Sequence, residues 1–344
     1  MKKITFVRRQ YNPYGGAERY FQRLIEAMRE RNRYDVQIWH IEQPRWMASW
    51  IKMLYYNFQV CSRKKGEFLF SNDRLTCLDI HRAGGGAHKA FLKTKGFTLN
   101  PLHPVYLWLE KRTLQNAKTI IANSMKVKKD ILDSYDIDPE KIEVIYNGVP
   151  IRPFDKKSAK RQLCEEFGIP EESKILLYVG SGFERKGVKE LLELLKEIGP
   201  DFRAFVVGKE KRIEKYKAIA AAHGLDEKLF FTGPRKDVER FYAAADLFLF
   251  PTRYEPFSNV VLEALSYENV VFTTAQNGAS EILEERYVMK TPDDKSVLPL
   301  IERLLTDEET LKQAQKRAGE LAKNYSIEKN VEKTIEVIEE TLKR

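Results

Sequence analysis

The amino-acid sequence predicts an α/β protein of two doubly wound domains, each with a parallel sheet covered by helices. Short apolar runs alternate with helical patterns along almost all of the 344 residues, which is typical of parallel sheets covered on both faces. The alternation restarts after "VPIRPFDKKSAKR", a segment with two prolines and a charge run that is typical of a linker. The length also fits two domains of roughly 100–200 residues each.

Five apolar runs are predicted strands of the first domain, residues 1–150: "KITFV", "DVQIWHI", "EFLFS", "TIIANS" and "KIEVIYNG". A helix is predicted from about Ala17 to Arg31. In the second domain, residues 151–325, the runs match fully buried parallel strands: "KILLYVG", "FRAFVVG", "LFFTG", "LFLFP" and "VVFTT". From about Asp293 to Arg344 the sequence predicts helices only. Ligands of such sheets bind at the carboxyl ends of the strands, and a cleft between two such domains is the expected active site.

Composition excludes several protein classes. The hydrophobic fraction of 43% is that of a globular protein with a core. No stretch approaches the ~18 apolar residues of a transmembrane helix, and the first apolar run is too short for a signal peptide. The three cysteines, Cys61, Cys77 and Cys164, are widely spaced without a C-x-x-C pair. This spacing argues against a disulfide framework or a zinc site and predicts a reducing, cytoplasmic compartment.

The formal net charge of +9 is compatible with an anionic partner or with a solvated, lysine-rich surface. Nucleic acid is not expected, because the sequence has no RNA-binding signature or zinc finger. The stretches Arg45–Lys65 and Lys89–Arg112 mix basic and aromatic residues. We expect both to contact an anionic membrane surface peripherally, with a partly buried helix as the alternative for Arg45–Lys65.

The stretch "YVGSGFERKG" has the strand–turn–helix setting of a phosphate site. Gly180 and Gly182 fit a dinucleotide fingerprint, G-x-G-x-x-G, but Arg185 occupies the position of the third glycine. Arg185 and Lys186 would lie beside the positive end of the helix dipole, which is unfavourable unless an anion offsets them. We interpret the two side chains as ligands of a diphosphate, with a solvated surface pair as the alternative.

The stretch "RYEPFSNVVLEAL" follows the predicted strand "LFLFP" and contains two carboxylates eight residues apart. Glu255 lies in the loop, Ser258 is a candidate N-cap, and Glu263 falls in the first turns of the helix. Because a carboxylate accepts hydrogen bonds from paired hydroxyls, Glu255 and Glu263 are candidate ligands of a sugar or a ribose.

Two other strand ends carry glycines. In "NPYGGAER", Gly15 and Gly16 allow close approach of a ligand at a helix start, with a simple glycine turn as the alternative. In "DIHRAGGGAHKAF", three glycines separate His81 from His88, and His88 is either a ligand contact or general base, or a structural histidine. His103 is expected in a loop and has no assigned role.

A metal site is not expected. The D-x-D pattern of Asp136 and Asp138 lies in "DSYDIDPEK", where a helix-ending turn is the favoured interpretation. The sequence contains no P-loop, nucleophile-elbow or H-E-x-x-H motif.

Several segments together resemble the retaining, nucleotide-sugar glycosyltransferases of the GT-B fold in family four. Within them the chain is most similar to bacterial lipopolysaccharide core (heptosyl) alpha-glucosyltransferases. The matching segments are "YNPYGGAER", "ANS", "VIYNGVP", "GSGFERKGVKELLE", "VVGK", "FFTGPRKDVERFYAAADLFLFPTRYEPFSNVVLEAL" and "NGASEIL". The resemblance implies two Rossmann-like domains facing a central cleft, with acceptor binding by residues 1–150 and donor binding by residues 151–325. It also implies that the last helix, residues 326–344, crosses back to the N-terminal domain.

The resemblance assigns roles to the candidate residues. Arg185 and Lys186 would hold the donor diphosphate, Glu263 the ribose hydroxyls, and Glu255 hydroxyls of the donor sugar. Backbone N–H groups around residues 257–259 would contact sugar or phosphate. The candidate catalytic residues are Glu255, His88, Arg185 and Lys186. The candidate donor-binding residues are Gly15, Gly16, Gly182, Arg185, Lys186, Glu255, Phe257, Ser258, Asn259 and Glu263.

The resemblance further implies transfer without a metal or cofactor, because fixed cations neutralise the leaving diphosphate. The expected reaction moves a hexose from a nucleotide sugar, with UDP-glucose favoured, to a lipid-linked lipopolysaccharide-core or related glycan. The new bond keeps the anomeric configuration through an oxocarbenium-like state. The expected location is the cytoplasm, with peripheral contact at the inner face of the membrane.

One position departs from the family pattern. Close relatives often read R-A-G-D-G-x-H where this chain has Gly85 in place of the polar residue. A weakly active or non-catalytic nucleotide-sugar-binding protein is therefore one alternative. A sugar-nucleotide epimerase or a phosphorylase on a similar fold is another, which Glu255, Glu263 and the Arg185–Lys186 pair disfavour.

Overall fold

The structure is a computed structural model that describes residues 2–9, 16–32, 34–44, 46–93 and 99–344, with the backbone alone for residues 16–19. The chain divides into two compact units. The first unit contains Met1–Asn147 and Glu328–Arg344, and the second contains Gly148–Ile327.

The first unit is built on a six-stranded parallel sheet of order β2-β1-β3-β4-β5-β6. Its strands are β1 (Lys2–Arg8), β2 (Tyr34–His40), β3 (Phe68–Ser71), β4 (Ile80–Arg82), β5 (Thr119–Ala122) and β6 (Ile142–Val144). Its helices include α1 (Gly16–Glu30), α2 (Ser49–Arg63), α3 (His88–Lys93), α4 (Leu102–Asn116) and α5 (Met125–Leu132). The sequence did not predict β4, because three buried residues are too few to show a strand pattern.

The core of the first unit contains two apolar clusters. Val7, Tyr56, Val60, Leu69 and Leu78 belong to one of them, which joins α2 to β1 and β3. The other joins β5 and β6 to α5 and includes Ile120, Ala122, Val127, Ile131 and Ile142. Both clusters follow from apolar runs in the sequence, and their burial provides the main stabilisation of the sheet.

A disulfide joins Cys61 in α2 to Cys77 in the loop before β4. The expectation of reduced cysteines is therefore wrong for this pair, and so is the argument for a reducing compartment. The two cysteines stand 16 residues apart in the chain, yet their Cα atoms lie 5.5 Å apart. That distance is within the reach of a disulfide, and chain spacing alone does not reveal such proximity. Cys164 is free and buried.

The second unit has its own six-stranded parallel sheet, of order β12-β11-β10-β7-β8-β9. Its elements in chain order are α6 (Lys156–Phe167), β7 (Ile175–Val179), α7 (Val188–Glu197), β8 (Arg203–Val207), α8 (Ile213–Ala222), β9 (Leu229–Gly233), α9 (Val238–Ala244), β10 (Leu247–Phe250), α10 (Asn259–Ser266), β11 (Val270–Thr274), β12 (Val288–Met289), α11 (Leu298–Thr306) and α12 (Glu308–Asn324). The latter part of the predicted linker is helical, because Asp155 caps α6 by accepting from the Ser158 N–H at 3.0 Å.

The strand order of the second unit places its ligand edge. Numbered from the start of the unit, the strands follow the order 3-2-1-4-5-6, which reverses between β7 and β10. In doubly wound sheets this reversal is the point where ligands bind, beyond the carboxyl ends of the strands. The loops after β7 and β10 therefore meet at the expected binding position.

The last helix, α13 (Ile327–Thr341), packs on the first unit. The Tyr20 hydroxyl lies 3.0 Å from Thr334 Oγ1, and the Thr119 and Thr341 hydroxyls lie 2.8 Å apart. The two sheets confirm the predicted α/β class with doubly wound parallel sheets. Within the described ranges, no helix has the length and apolar character needed to cross a membrane.

Candidate functional site

The turn between β7 and α7 depends on glycine. Gly182 has φ +77°, in the left-handed region that favours glycine. Gly187, at the N-cap of α7, has φ +75°, and a Cβ there would overlap the backbone oxygen of Pro251. Sequence reasoning assigned no role to Gly187, although this residue allows the turn to approach the loop after β10.

Arg185, Lys186 and Glu255 are in direct contact, and we call these three side chains the clamp. Arg185 Nη1 donates to Glu255 Oε1 at 2.6 Å and to the backbone oxygen of Tyr254 at 2.8 Å. Lys186 Nζ lies 3.4 Å from the same Glu255 oxygen. The Arg185 side chain is 40% exposed, whereas Lys186 and Glu255 are 16% and 13% exposed. Because two cations share one carboxylate oxygen, the clamp carries one excess positive charge.

Backbone contacts tie the two loops of the clamp together. The backbone oxygen of Arg185 accepts from the Arg253 N–H at 3.0 Å and from the Thr252 hydroxyl at 3.3 Å. Lys186 Nζ lies 5.4 Å from the ring centroid of Phe250, within the range of a cation–π interaction. The residues immediately before α7 and those after β10 are therefore fixed against one another.

A second set of contacts orders the loop before α10. The Glu255 N–H donates to the Gln276 oxygen at 3.1 Å, and the Gly278 N–H donates to the Glu255 oxygen at 3.0 Å. Ser258 occupies the predicted N-cap position, but its side chain makes no capping hydrogen bond. Its N–H instead donates to Asn277 Oδ1 at 3.2 Å. Asn277 is fully buried, and sequence reasoning did not single it out.

The remaining candidates near α10 have different environments. The Phe257 side chain is buried in the core, and Asn259 begins α10 with an exposed side chain. Glu263 lies within α10, where its Oε2 accepts from the Tyr242 hydroxyl at 3.1 Å. The pKa of Tyr242 is raised well above its usual value, mainly by burial and then by the Glu263 carboxylate. The Tyr242 hydroxyl therefore keeps its proton and remains a hydrogen-bond donor.

In the first unit, His88 is the first residue of α3 and contacts a second histidine. Its Nε2 lies 3.0 Å from Nδ1 of His103. His103 is the second residue of α4, so the loop expectation was wrong. Pro101 and Pro104 are compatible with a helix here because N–H groups in a first turn need no intrahelical acceptor.

The backbone N–H of His88 donates to both carboxylate oxygens of the buried Glu110, at 2.9 Å each. Glu110 also accepts from Arg74 Nε at 2.9 Å and from the Tyr135 hydroxyl at 2.6 Å. Burial alone would raise the pKa of Glu110, but Arg74 foremost, then Tyr135 and the His88 N–H, bring it below its usual value. We call Arg74, His88, Glu110 and Tyr135 the Glu110 network. It joins residues from four separate segments, so no sequence spacing predicts it.

The remaining residues singled out in the sequence belong to the first unit. Gly15 lies outside the described residues, and Gly16 is the first residue of α1. Gly85 is exposed, and a Cβ there would meet no heavy atom within 4 Å. Asp138 caps the short turn Pro139–Lys141 by accepting from the Glu140 N–H at 2.9 Å. In the part of the chain that the structure describes, no group of three or more histidine, cysteine or acidic side chains is arranged to hold a metal ion.

The described residues of the two basic, aromatic stretches include three partly buried helices of the first unit, α2, α3 and α4, so α2 matches the alternative expected for Arg45–Lys65. Helix α2 buries Met53, Tyr56 and Val60 and leaves Phe58 68% exposed. Helix α4 packs against α2 and leaves Trp108 50% exposed. The other exposed apolar side chains on or before these helices are Trp46, Trp50, Ile51 and Leu99. Arg45 and residues 94–98 of these stretches lie outside the described residues.

Comparison with known proteins gives consistent matches in both units. Residues 159–324 match the family described as glycosyl transferases group 1, and residues 80–152 match glycosyltransferase family 4. The lipopolysaccharide glucosyltransferase WaaG of Escherichia coli (strain K12) is 26% identical over 312 residues, which is 82% of this chain and 83% of that protein.

Solved structures show the same fold. The crystal structure of WaaG, described as a glycosyltransferase involved in lipopolysaccharide biosynthesis, matches with a TM-score of 0.80 and 24% identity over 97% of this chain and 99% of the other. The Anabaena protein Alr3699/HepE in complex with UDP and glucose matches with a TM-score of 0.76 and 20% identity, over 99% of this chain and 100% of the other. These likenesses confirm the predicted GT-B fold.

Proposed function

This chain belongs to the group 1 glycosyltransferases, and on that premise we propose that it transfers glucose from UDP-glucose to a lipopolysaccharide-core or related cell-surface glycan. The clamp carries this proposal, because two cations with one excess positive charge lie where doubly wound sheets bind ligands. The choice of donor and acceptor is supported by the similarity to WaaG, a lipopolysaccharide glucosyltransferase, and to HepE, whose structure contains UDP and glucose.

In the proposed complex, Arg185 and Lys186 bind the donor diphosphate. Arg185 supplies a planar fork of donors and Lys186 a compact charge, both suited to phosphate oxygens. As the bond from the sugar to the phosphate breaks, these cations stabilise the charge that develops on the leaving diphosphate. This arrangement would make a metal ion or cofactor unnecessary.

Glu255 and Glu263 recognise the hydroxyls of the donor. Glu263, half-buried and oriented by Tyr242, takes the ribose hydroxyls. Glu255 takes hydroxyls of the donor sugar, since a carboxylate can accept from two neighbouring hydroxyls. Gly182 and the backbone of residues 257–259 shape the surrounding wall of the proposed donor site.

The proposed reaction retains the anomeric configuration. The bond between C1 and the diphosphate oxygen breaks, and the acceptor hydroxyl oxygen forms a new bond to C1 on the same face. The acceptor proton moves to the departing phosphate, and the sugar passes through an oxocarbenium-like state. His88, whose Nε2 lies 3.0 Å from Nδ1 of His103 and whose N–H donates to Glu110, is the proposed catalytic residue of the first unit.

The acceptor is proposed to be lipid-linked, with the exposed side chains of α2 and α4 touching an anionic membrane. Aromatic and basic side chains together favour the interface of such a membrane. The proposed location is the cytoplasmic face, because donor and leaving group are soluble nucleotides.

Donor turnover tests the proposed function. The protein is incubated with UDP-glucose and other nucleotide sugars, with and without delipidated core acceptor, and UDP release and product mass are followed. We expect UDP release that depends on the acceptor and a product heavier by one hexose. Binding of UDP-glucose without transfer or hydrolysis would instead indicate a non-catalytic binding protein, and a changed sugar on an intact nucleotide would indicate an epimerase.

Vesicle co-sedimentation tests the membrane contact separately. We expect Phe58→Ser to reduce binding to vesicles that contain anionic lipid, because this side chain is 68% exposed on α2. Ile151→Ser is the matched control, since Ile151 is an exposed apolar residue of the second unit. Equal binding by both variants would contradict the assignment of α2 to the membrane.

A further inference from the structure

The clamp already contains an anion of its own. Glu255 Oε1 lies 2.6 Å from Arg185 Nη1 and 3.4 Å from Lys186 Nζ. These are the donors that a diphosphate would need. A bound diphosphate and the Glu255 carboxylate therefore compete for the same two cations.

Glu255 has a second use in the proposed function, which is to accept hydrogen bonds from the donor sugar. While the sugar is attached to the nucleotide, its hydroxyls give the carboxylate a partner away from the cations. After transfer, the sugar leaves with the acceptor and that partner is gone. The carboxylate is then able to return to Arg185 and Lys186 and compete with the UDP that remains.

We infer that Glu255 is a movable internal anion that weakens binding of the nucleoside diphosphate product relative to the intact nucleotide sugar. The inference rests on the proposed function, because it requires a diphosphate at the clamp. It gives Glu255 a role in product release in addition to sugar recognition. The side chain has an anchored backbone on both sides, so its movement is a rotation of the side chain alone.

Replacement of Glu255 by glutamine keeps the shape and removes the charge. The two cations then have no internal anion, and we expect UDP to bind Glu255→Gln about fivefold more tightly than the wild type, the upper end of the coupling between partly exposed charges. The affinity for UDP-glucose is expected to rise less than the affinity for UDP, or to fall, because the glutamine side chain accepts hydrogen bonds from the sugar hydroxyls less well than the carboxylate does. The ratio of the two affinities therefore shifts toward UDP.

Calorimetric titration of UDP and UDP-glucose into the full chain measures both affinities. Glu184→Gln is the matched control, because Glu184 is adjacent to Arg185 in sequence but is 76% exposed and pairs with Arg212. It removes the same charge near the clamp without removing a clamp contact, and we expect it to leave the affinity ratio unchanged. Inhibition of transfer by added UDP should strengthen in Glu255→Gln alone.

A UDP affinity in Glu255→Gln that equals or falls below that of the wild type would overturn the inference while leaving the proposed function intact. Equal tightening in Glu184→Gln would also overturn it, because the effect would then be general electrostatics. Failure of the wild type to bind either nucleotide would refute the proposed function and the inference together. If Glu255→Gln does not fold, Glu255→Asp should still tighten UDP binding, because its carboxylate is one methylene farther from Arg185 and Lys186.

Discussion

Glu110 in the first unit and Glu255 in the second both hold an arginine, but their surroundings differ. Glu110 is 3% exposed, and its two oxygens receive donors from Arg74, Tyr135 and His88. Glu255 receives two cations on one oxygen, and Arg185 remains partly exposed to solvent. Removing one partner of a buried, fully hydrogen-bonded carboxylate is strongly destabilising, whereas an exposed excess of positive charge attracts an anion. The comparison separates a buried charge network from the proposed diphosphate site.

The largest expected effect is on the stability of the first unit in Glu110→Gln. The variant leaves Arg74 without its buried carboxylate partner, and such a loss typically lowers the free energy of unfolding by about 3–5 kcal/mol. The four tryptophans, at positions 39, 46, 50 and 108, all lie in the first unit, so their fluorescence during urea unfolding reports this unit alone.

Glu255→Gln is the matched change at the clamp. It should lower the free energy of unfolding by about 1 kcal/mol or less, because the ion pair of Arg185 and Glu255 is partly exposed. Its effect is expected in the second unit, so the tryptophan transition should not move. A similar loss of first-unit stability in both variants would remove the distinction between the two carboxylates.

The next effect is a loss of first-unit stability in mild acid that originates at His81. Burial first, and then Arg74, lower the pKa of His81 to about 4, whereas an unfolded histidine titrates near 6.5. Between these two values the unfolded chain binds more protons, so stability falls as the pH is lowered from about 6.5 to 4. The free energy of unfolding should decrease by about 3 kcal/mol over this pH range.

Urea unfolding followed by tryptophan fluorescence at pH 7 and pH 4.5 measures this dependence. We expect His81→Gln to reduce the difference between the two pH values, because glutamine does not titrate. His223→Gln is the control, since His223 lies in the second unit and its loss should leave the tryptophan transition unchanged. An equally steep pH dependence in His81→Gln would assign the acid sensitivity to other groups.

A smaller effect is expected on ligand binding in Arg185→Ala. Hydrogen bonds to charged groups contribute about 1.5–3 kcal/mol, so UDP affinity should fall about 10- to 100-fold. Arg303→Ala removes an exposed arginine of the same unit and should leave UDP affinity unchanged. Calorimetric titration measures both, and an unaltered affinity in Arg185→Ala would refute its role as a diphosphate ligand.

The residues of the clamp were identified from the sequence because each follows a recognisable buried strand, although Arg185 and Glu255 are 70 residues apart and their direct contact was not predicted. Arg185 and Lys186 follow a buried strand and precede a helix, and Glu255 follows another buried strand of the same sheet. The carboxyl ends of parallel strands meet at one edge, so the sequence brings these residues together once the fold class is known. The strands β7 to β11 were predicted for a similar reason, since each is a continuous apolar run.

The Glu110 network and the disulfide were not predictable in this way. Arg74 and Tyr135 contact Glu110 across 36 and 25 residues of chain, and nothing in their spacing marks the contact. Cys61 and Cys77 meet through the packing of α2, which depends on the tertiary structure. Short strands such as β4 and β12 carry too few residues to show a period, and therefore were missed.

The smallest effect on stability is expected from Gly85→Asp, which adds a carboxylate at an exposed position of the first unit. Gly85 is exposed, has open space at its Cβ position and is not in the left-handed region, so stability should change by about 0.5 kcal/mol or less. Gly86→Asp is the matched control, because φ +72° at Gly86 strains any other residue. The resemblance implies a polar residue at position 85 near the donor sugar, so the transfer rate of Gly85→Asp should rise. A variant that folds as well as the wild type but transfers no faster would show that Gly85 does not limit the reaction.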